Sequence, residues 1–231
     1  MKEGDFVKIE YSGRSPAGKL IDTTNADEAK KEGIFNEKAS YKPFLAVVGK
    51  GQLLKGLDEA LMEAEEGEEK TVIIPKEKAF GDRREELVKL VPLSQFRKQD
   101  IDPYPGMVLD LDGMRARVQS VSGGRVRVDF NHELAGQDLT YWFKVLRKFV
   151  SPEEKVNALA EENLGVSATL QEETARVAVG EAVQKESQEY ILGKLRFIEW
   201  TQKYIPEVKN VVIEEAYAVQ KKEEAIKPSS P

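Results

Sequence analysis

Residues 48–61 read VGKGQLLKGLDEAL, and this stretch decides the fold of the N-terminal part of the chain. Its glycines interrupt an apolar strand, and Leu57, Ala60, Leu61 and Ala64 then follow at i, i+3, i+4 and i+7, the spacing of one helix face. The pattern predicts a short helix, which we expect Gly67 to end. The run 71–74 (TVII) before Pro75 predicts a short buried strand.

The residues that precede this stretch add further strands. The patterns at 6–11, 19–22 and 44–48 are rich in β-formers and bounded by turn residues, and 25–32 favours a helix. Strands arranged about one short helix predict an α+β domain.

The sequence pattern changes from about residue 82, where a polar stretch with three prolines is followed by a region of period-2 alternation. Apolar residues alternate with polar ones along 107–112, 114–119 and 125–130, and Gly123-Gly124 and Asp112-Gly113 are typical of tight hairpins. The pattern predicts a small antiparallel all-β unit with one apolar face. Its other face carries four arginines, Arg115, Arg117, Arg125 and Arg127.

A final long strand is expected over 139–150, and a new domain is expected to begin at Ser151-Pro152 as a capped helix. A second helix is predicted over 188–205. It carries one stripe of Ile191, Leu195 and Ile198 and an opposed stripe of Phe197, Trp200 and Tyr204. One stripe can cover strands at 176–179 and 208–216, and the other then needs a partner. The charged residues 221–231 are expected to be disordered.

Composition excludes several classes of function. The 231 residues contain no cysteine and a single histidine, His132, which removes thiol nucleophiles, disulfides and multi-histidine metal sites. No apolar run is long enough to span a membrane or to follow a signal-peptide start, so a cytoplasmic location is the expectation. The net charge of −6 is concentrated after residue 150, so nucleic acid is not expected as a partner.

Three sequence blocks resemble those of the FKBP-type peptidyl-prolyl cis/trans isomerases. They are 11–24 (YSGRSPAGKLIDTT), 48–75, and Ala79-Phe80-Gly81, in that order and spacing. A fourth block, 131–137 (NHELAGQ), resembles the signature after the insert-in-flap domain of SlyD-type members. The long C-terminal part is similar to that of long-chain archaeal members.

The resemblance implies a fold and a division into domains. We expect an α+β protein in which an antiparallel FKBP sheet wraps around a short helix, with an inserted small all-β domain and a C-terminal α/β domain. The expected boundaries are 1–83 with 129–150 for the isomerase domain, 84–128 for the insert, 151–220 for the C-terminal domain and 221–231 for the tail.

The resemblance also implies an isomerase pocket in this chain. Its catalytic residues would be Tyr11, Asp22, Phe80 and Tyr141. Its substrate-binding residues would be Ile21, Phe44, Leu53, Leu54 and Leu57, with Leu57 as the floor and the Leu54 backbone N–H as donor to the substrate carbonyl. Two positions depart from the family pattern, since Phe80 replaces the usual tyrosine and Leu57 a common tryptophan. Both changes should weaken macrolide binding more than turnover.

The chemistry of such a pocket follows from the amide bond. Rotation about an Xaa–Pro bond meets a barrier of roughly 18–20 kcal/mol set by amide resonance. The twisted transition state has lost much of the amide dipole, so an apolar pocket favours it over the planar ground state. No metal and no cofactor is expected.

Shorter motifs favour structural interpretations. Residues 49–54 lack the last glycine and the context of a dinucleotide fingerprint. Asp110-Leu111-Asp112-Gly113 lacks the later acids of a calcium loop and is typical of a hairpin. His132 is expected to be structural or to line the pocket rim.

The sequence therefore predicts an isomerase that is also a folding chaperone acting on unfolded or proline-containing polypeptides. The insert would capture unfolded chain through its apolar face, helped by Met107 and Met114. A homodimer through the C-terminal domain is a weaker expectation. One alternative is a non-enzymatic holdase chaperone with a decayed isomerase pocket. Another is a nucleic-acid-binding module that uses the arginine face.

Overall fold

The computed structural model describes residues 1–111 and 113–217. The tail expected at 221–231 lies outside the described residues. Contacts divide the chain into two compact units, one formed by Ile9–Phe44 and Gly51–Val145, the other by Met1–Lys8, Leu45–Lys50 and the residues from Leu146 onward. The expected domain boundaries stay predictions.

Mixed α+β structure is confirmed over residues 1–149. The elements in chain order are β1 (Phe6–Arg14), β2 (Leu20–Thr23), α1 (Ala26–Lys31), β3 (Phe44–Val47), α2 (Lys55–Met62), β4 (Glu69–Ile74), β5 (Val88–Pro92), α3 (Leu93–Arg97), β6 (Val108–Leu111), β7 (Met114–Ser122), β8 (Arg125–Asp129) and β9 (Leu139–Phe149). One sheet has the order β2-β1-β9-β4, with β3 paired to β1, and a second has the order β5-β8-β7-β6.

Two details of the first sheet differ from the prediction. Helix α2 ends at Met62, so Gly67 does not end it; Gly67 instead lies in the following turn and donates its N–H to the Val145 carbonyl. Strand β4, an edge strand of the sheet, is buried on one face only: Ile74 is 1% exposed, whereas Ile73 is 73% exposed. A short apolar run does not reveal which of its faces is covered.

The second sheet has the predicted alternation and one surprise. Phe96, Ala116, Val118, Val126 and Val128 form its small core. Phe96 comes from α3, a five-residue helix that the sequence did not reveal, so the region is not all-β. Because α3 covers the apolar face, that face is not the exposed capture surface we expected.

The second compact unit contains α4 (Pro152–Leu164), β10 (Ala168–Gln171), β11 (Thr174–Val179), α5 (Gln188–Tyr204) and β12 (Asn210–Glu215). Ser151 caps α4 in a reciprocal capping box with Glu154, as its sequence predicted. Strand β11 pairs antiparallel with β10 and parallel with β12.

Helix α5 shows which of its stripes is covered. Phe197 is fully buried, and Trp200 and Tyr204 pack against the same core. Gly193 lets α5 approach α4, because a Cβ there would overlap the Asn163 carbonyl oxygen. Ile191 and Leu195, from the other stripe, are 45% and 58% exposed. No helix among the described residues is long and apolar enough to cross a membrane.

Candidate active site

The candidate active site is built on the hairpin of β1 and β2 and on β9. Tyr11 contacts two aromatic rings, Phe44 at 6.3 Å and Tyr141 at 6.2 Å between centroids. The register of the hairpin pairs Gly13 with Asp22. These pairings bring Tyr11, Asp22 and Tyr141, all predicted catalytic residues, into one cluster.

The cluster is a poorly hydrated environment that contains one carboxyl group. The Tyr11 hydroxyl donates a hydrogen bond to Asp22. Partial burial raises the pKa of Asp22 above its usual value, although hydrogen bonds from Tyr11 and from the Thr23 backbone act in the opposite direction. Burial, and then the charge of Asp22, raise the pKa values of Tyr11 and Tyr141, so both hydroxyls stay protonated at neutral pH.

Tyr141 fits against the hairpin because residue 13 is glycine. A Cβ at Gly13 would lie within 2.7 Å of both Cε1 and the hydroxyl oxygen of Tyr141. The ring is 4% exposed, and its hydroxyl donates to no described residue. The hydroxyl is therefore available to a bound ligand.

A polar network behind the site holds the hairpin in place. The Glu28 carboxylate accepts hydrogen bonds from Ser12, from the Thr23 hydroxyl at 2.8 Å and from Arg14 at 2.8 Å. Partial burial alone would raise the pKa of Glu28, but these three donors outweigh it and hold the pKa below its ordinary value. Helix α1, capped by Asn25, thus anchors both strands that carry Tyr11 and Asp22.

A cavity of about 900 Å³ opens beside the cluster. Four predicted residues line it: Ile21, Asp22, Phe80 and Tyr141. Its rim includes His132, whose ring stacks on Phe80 with centroids 3.9 Å apart and planes 7° from parallel. Tyr11 is not in the lining but contacts the Tyr141 ring, and Phe44 is not in the lining but contacts the Tyr11 ring.

The leucines of the predicted pocket lie apart from the lining of this cavity. Leu57 is 1% exposed and belongs to the core, and Leu53 is half-buried. Leu54 is the N-cap of α2, and its carbonyl accepts the N–H groups of Leu57 and Asp58. The Leu54 N–H donates to no described residue, so it is free for the role that the resemblance implies.

Sequence reasoning missed the contribution of the second sheet to this cavity. Val108, Arg115, Arg117 and Phe130 line it together with the predicted residues. The exposed arginine face was visible in the sequence, but no pattern there indicated that it faces the pocket. Among residues 1–111 and 113–217, no group of three or more acidic or histidine side chains is placed to hold a metal ion.

The candidate site is a partly apolar groove lined by aromatic side chains, two carboxyl groups and a basic strand. Known families match the part of the chain that forms it. Residues 1–95 match the family described as FKBP-type peptidyl-prolyl cis-trans isomerase, and residues 89–134 match the domain described as FKBP26, IF domain.

Relatives extend the comparison to whole proteins. The chain is 41% identical over 145 residues to a short-type peptidyl-prolyl cis-trans isomerase of Methanocaldococcus jannaschii. The aligned region makes up 63% of this chain and 92% of the relative. It is 31% identical over 134 residues to the FKBP-type isomerase SlyD of Helicobacter pylori, with 55% and 72% covered. A probable FKBP-type 16 kDa isomerase of Pseudomonas fluorescens is 33% identical over 146 residues, with 61% and 86% covered.

The chain belongs to the FKBP-type peptidyl-prolyl cis-trans isomerases, and it is an enzyme of that class. This membership does not favour the two alternatives, a non-enzymatic holdase and a nucleic-acid-binding module.

Proposed function

We propose that this chain isomerises Xaa–Pro bonds of unfolded polypeptides in the groove beside Tyr141, and that its insert presents those polypeptides to the groove. Tyr11, Asp22, Phe80 and Tyr141 are the proposed catalytic residues. The substrate contacts proposed from the resemblance are Ile21, Phe44, Leu53, Leu54 and Leu57. A cytoplasmic location remains the expectation from composition.

Catalysis in such a groove requires no proton transfer. The planar ground state of the Xaa–Pro amide has a large dipole, and the twisted transition state has lost part of it. A site dry enough to raise the pKa values of Tyr141 and Asp22 therefore stabilises the transition state relative to the ground state. The Tyr141 hydroxyl and the Leu54 N–H are the proposed donors to the substrate carbonyl. By fixing the carbonyl during rotation, they stabilise the transition state further relative to the ground state.

The free Tyr141 hydroxyl in a desolvated groove is the observation that carries the proposal, and a pH profile of activity tests it. We expect the chain to accelerate isomerisation of a neutral proline tetrapeptide with a rate that is flat between about pH 7.5 and pH 9, below the usual tyrosine pKa of about 10. The tyrosine pKa values are raised, so neither hydroxyl ionises in that range. A bell-shaped profile there would instead indicate acid–base catalysis.

The insert supplies the proposed capture surface, though from other residues than the buried apolar face. Large apolar side chains of residues 88–129 that are exposed are Leu90 (62%), Tyr104 (61%), Met114 (52%) and Val108 (42%). Leu90 pairs with Arg127, and Val108 pairs with Arg117, so both lie on the arginine face. A surface that mixes apolar and basic groups suits unfolded chain of varied sequence.

We also propose a homodimer through the C-terminal domain. Ile191, Leu192 and Leu195 are all more than 40% exposed on α5, and a second copy of this face would cover them. Sedimentation of the full chain should give twice the chain mass, and Ile191→Lys with Leu195→Lys should give the monomer. A monomeric wild-type chain at tens of micromolar would contradict the proposal.

A further inference from the structure

Strand β7 contributes a basic wall to the cavity beside the candidate active site. Arg115 and Arg117 are two residues apart on β7, so their side chains leave the same face of the sheet. Both line the cavity that is also lined by Asp22, Phe80 and Tyr141. A bound proline segment would therefore lie beside arginines of the second sheet.

The charges around the cavity do not balance. The basic side chains that line it are Lys19, Arg115 and Arg117, the acidic ones are Asp22 and Glu133, and His132 is the remaining titratable group apart from Tyr141. Both acids have partners, since Glu133 lies 3.4 Å from Arg117 and Asp22 accepts from Tyr11.

The ion pair of Arg117 with Glu133 leaves two cations, Lys19 and Arg115, against one carboxylate, Asp22, so the lining keeps a net positive charge. The ammonium of Lys19 and the guanidinium of Arg115 form no ion pair or hydrogen bond with any residue in the described ranges. Lys19 lies in the hairpin of β1 and β2, and Arg115 lies on β7. The two cations therefore come from different elements that line one groove. Such a groove attracts a carboxylate and disfavours a cation.

We infer that this groove selects proline segments that carry an acidic side chain close to the proline, with Arg115 as the main determinant and Lys19 as the second. The inference rests on the proposed isomerase function and specifies its substrate class. The cavity has room for more than the proline, because its volume of about 900 Å³ lies near the upper end of the roughly 300–1,000 Å³ typical of ligand sites. An acid within three residues of proline lies within about 10 Å along an extended chain.

Two-dimensional exchange NMR on matched octapeptides tests the inference. Each peptide contains one proline and one Glu, with Gln in the control series, placed in turn at the three positions on either side of the proline. We expect kcat/KM to be about three- to tenfold higher for Glu than for Gln at one or two positions, which is the size of a partly exposed ion pair. In about 1 M salt, where the screening length is about 3 Å, the ratio should fall towards one.

Variants assign the preference to the groove. Arg115→Gln should lower the Glu/Gln ratio at least twofold, and Arg115→Gln with Lys19→Gln should bring it to about one. The ratio is the readout because any change common to both peptide series cancels in it. Arg125→Gln is the matched control, because it removes the same charge from the same face of the sheet but does not line the cavity.

Three results would overturn the inference. They are an equal rate on Glu and Gln peptides at every position, a ratio that stays at the wild-type value when both Arg115 and Lys19 are replaced by Gln, and an equal fall of the ratio in Arg125→Gln. In each case activity on the Gln peptides would still support the isomerase function. Absence of activity on all peptides would instead contradict that function.

Discussion

Replacing Tyr141 by Phe should lower kcat/KM for a neutral proline tetrapeptide about tenfold, and replacing it by Ala about a hundredfold. Tyr141 lines the cavity and its hydroxyl has no partner among the described residues, so Phe removes the proposed donor to the substrate and leaves the protein's own hydrogen bonds intact. A hydrogen bond of this kind contributes roughly 0.5–1.5 kcal/mol, or up to tenfold in rate. The Ala variant also removes the ring that forms the wall.

Stability has to be measured beside activity, because truncation of a buried aromatic costs about 3–5 kcal/mol. Thermal unfolding should separate the two effects: the Phe variant should unfold close to the wild type, and the Ala variant earlier. A Phe variant with full activity would show that the hydroxyl is not the donor.

Gly13→Ala tests the position of the ring without altering its chemistry. The added Cβ would meet Cε1 and the hydroxyl oxygen of Tyr141 at 2.7 Å, so the ring must move. We expect a loss of activity similar to that of the Phe variant and a stability loss of about 1–3 kcal/mol, typical of overpacking. Gly180→Ala is the control, since its Cβ would meet nothing within 4 Å and its backbone is not left-handed.

Local pattern was sufficient to predict much of this fold. Alternation predicted β6, β7 and β8, and the cap at Ser151 predicted the start of α4, because each signal is contained within a few residues. Helix α3 was not predicted, because a segment of five residues after Pro92 is too short to show a helical period. The predicted burial of β4 holds for Ile74 and not for Ile73, because the coverage of each face depends on tertiary packing, which the strand's own residues do not encode.

The candidate site shows the same limit. The blocks around Tyr11, Asp22 and Phe80 predicted a pocket from the family resemblance, but the hydrogen bond from Tyr11 to Asp22 depends on the register of β1 with β2. The stack of His132 on Phe80 joins residues 52 positions apart, and the presence of Arg115 in the cavity depends on tertiary packing. A periodic pattern of apolar residues in the sequence does not predict such long-range contacts.

Removal of the insert should separate isomerisation from chaperoning. The Phe130 N–H bonds to the Leu87 carbonyl at 3.0 Å, and Arg84 and Asn131 hydrogen-bond reciprocally at 2.9 Å, so the two ends of the insert meet. An Asn-Gly turn can therefore replace residues 88–129 and keep this neck. We expect kcat/KM for a neutral tetrapeptide to stay within about threefold of the wild-type value.

Refolding of a proline-limited protein should respond differently to the same deletion. Binding to the insert holds an unfolded client near the groove at an effective concentration of about millimolar, far above a micromolar client in solution. Loss of that binding should slow catalysed refolding by about a hundredfold. A variant with Leu90→Ser, Val108→Ser and Met114→Ser retains the folded insert, because all three side chains are exposed, and it should show the same selective defect. If the deletion lowered both activities equally, the cavity wall formed by Val108, Arg115 and Arg117 would be required for isomerisation itself, and the insert would not act as a separate capture surface.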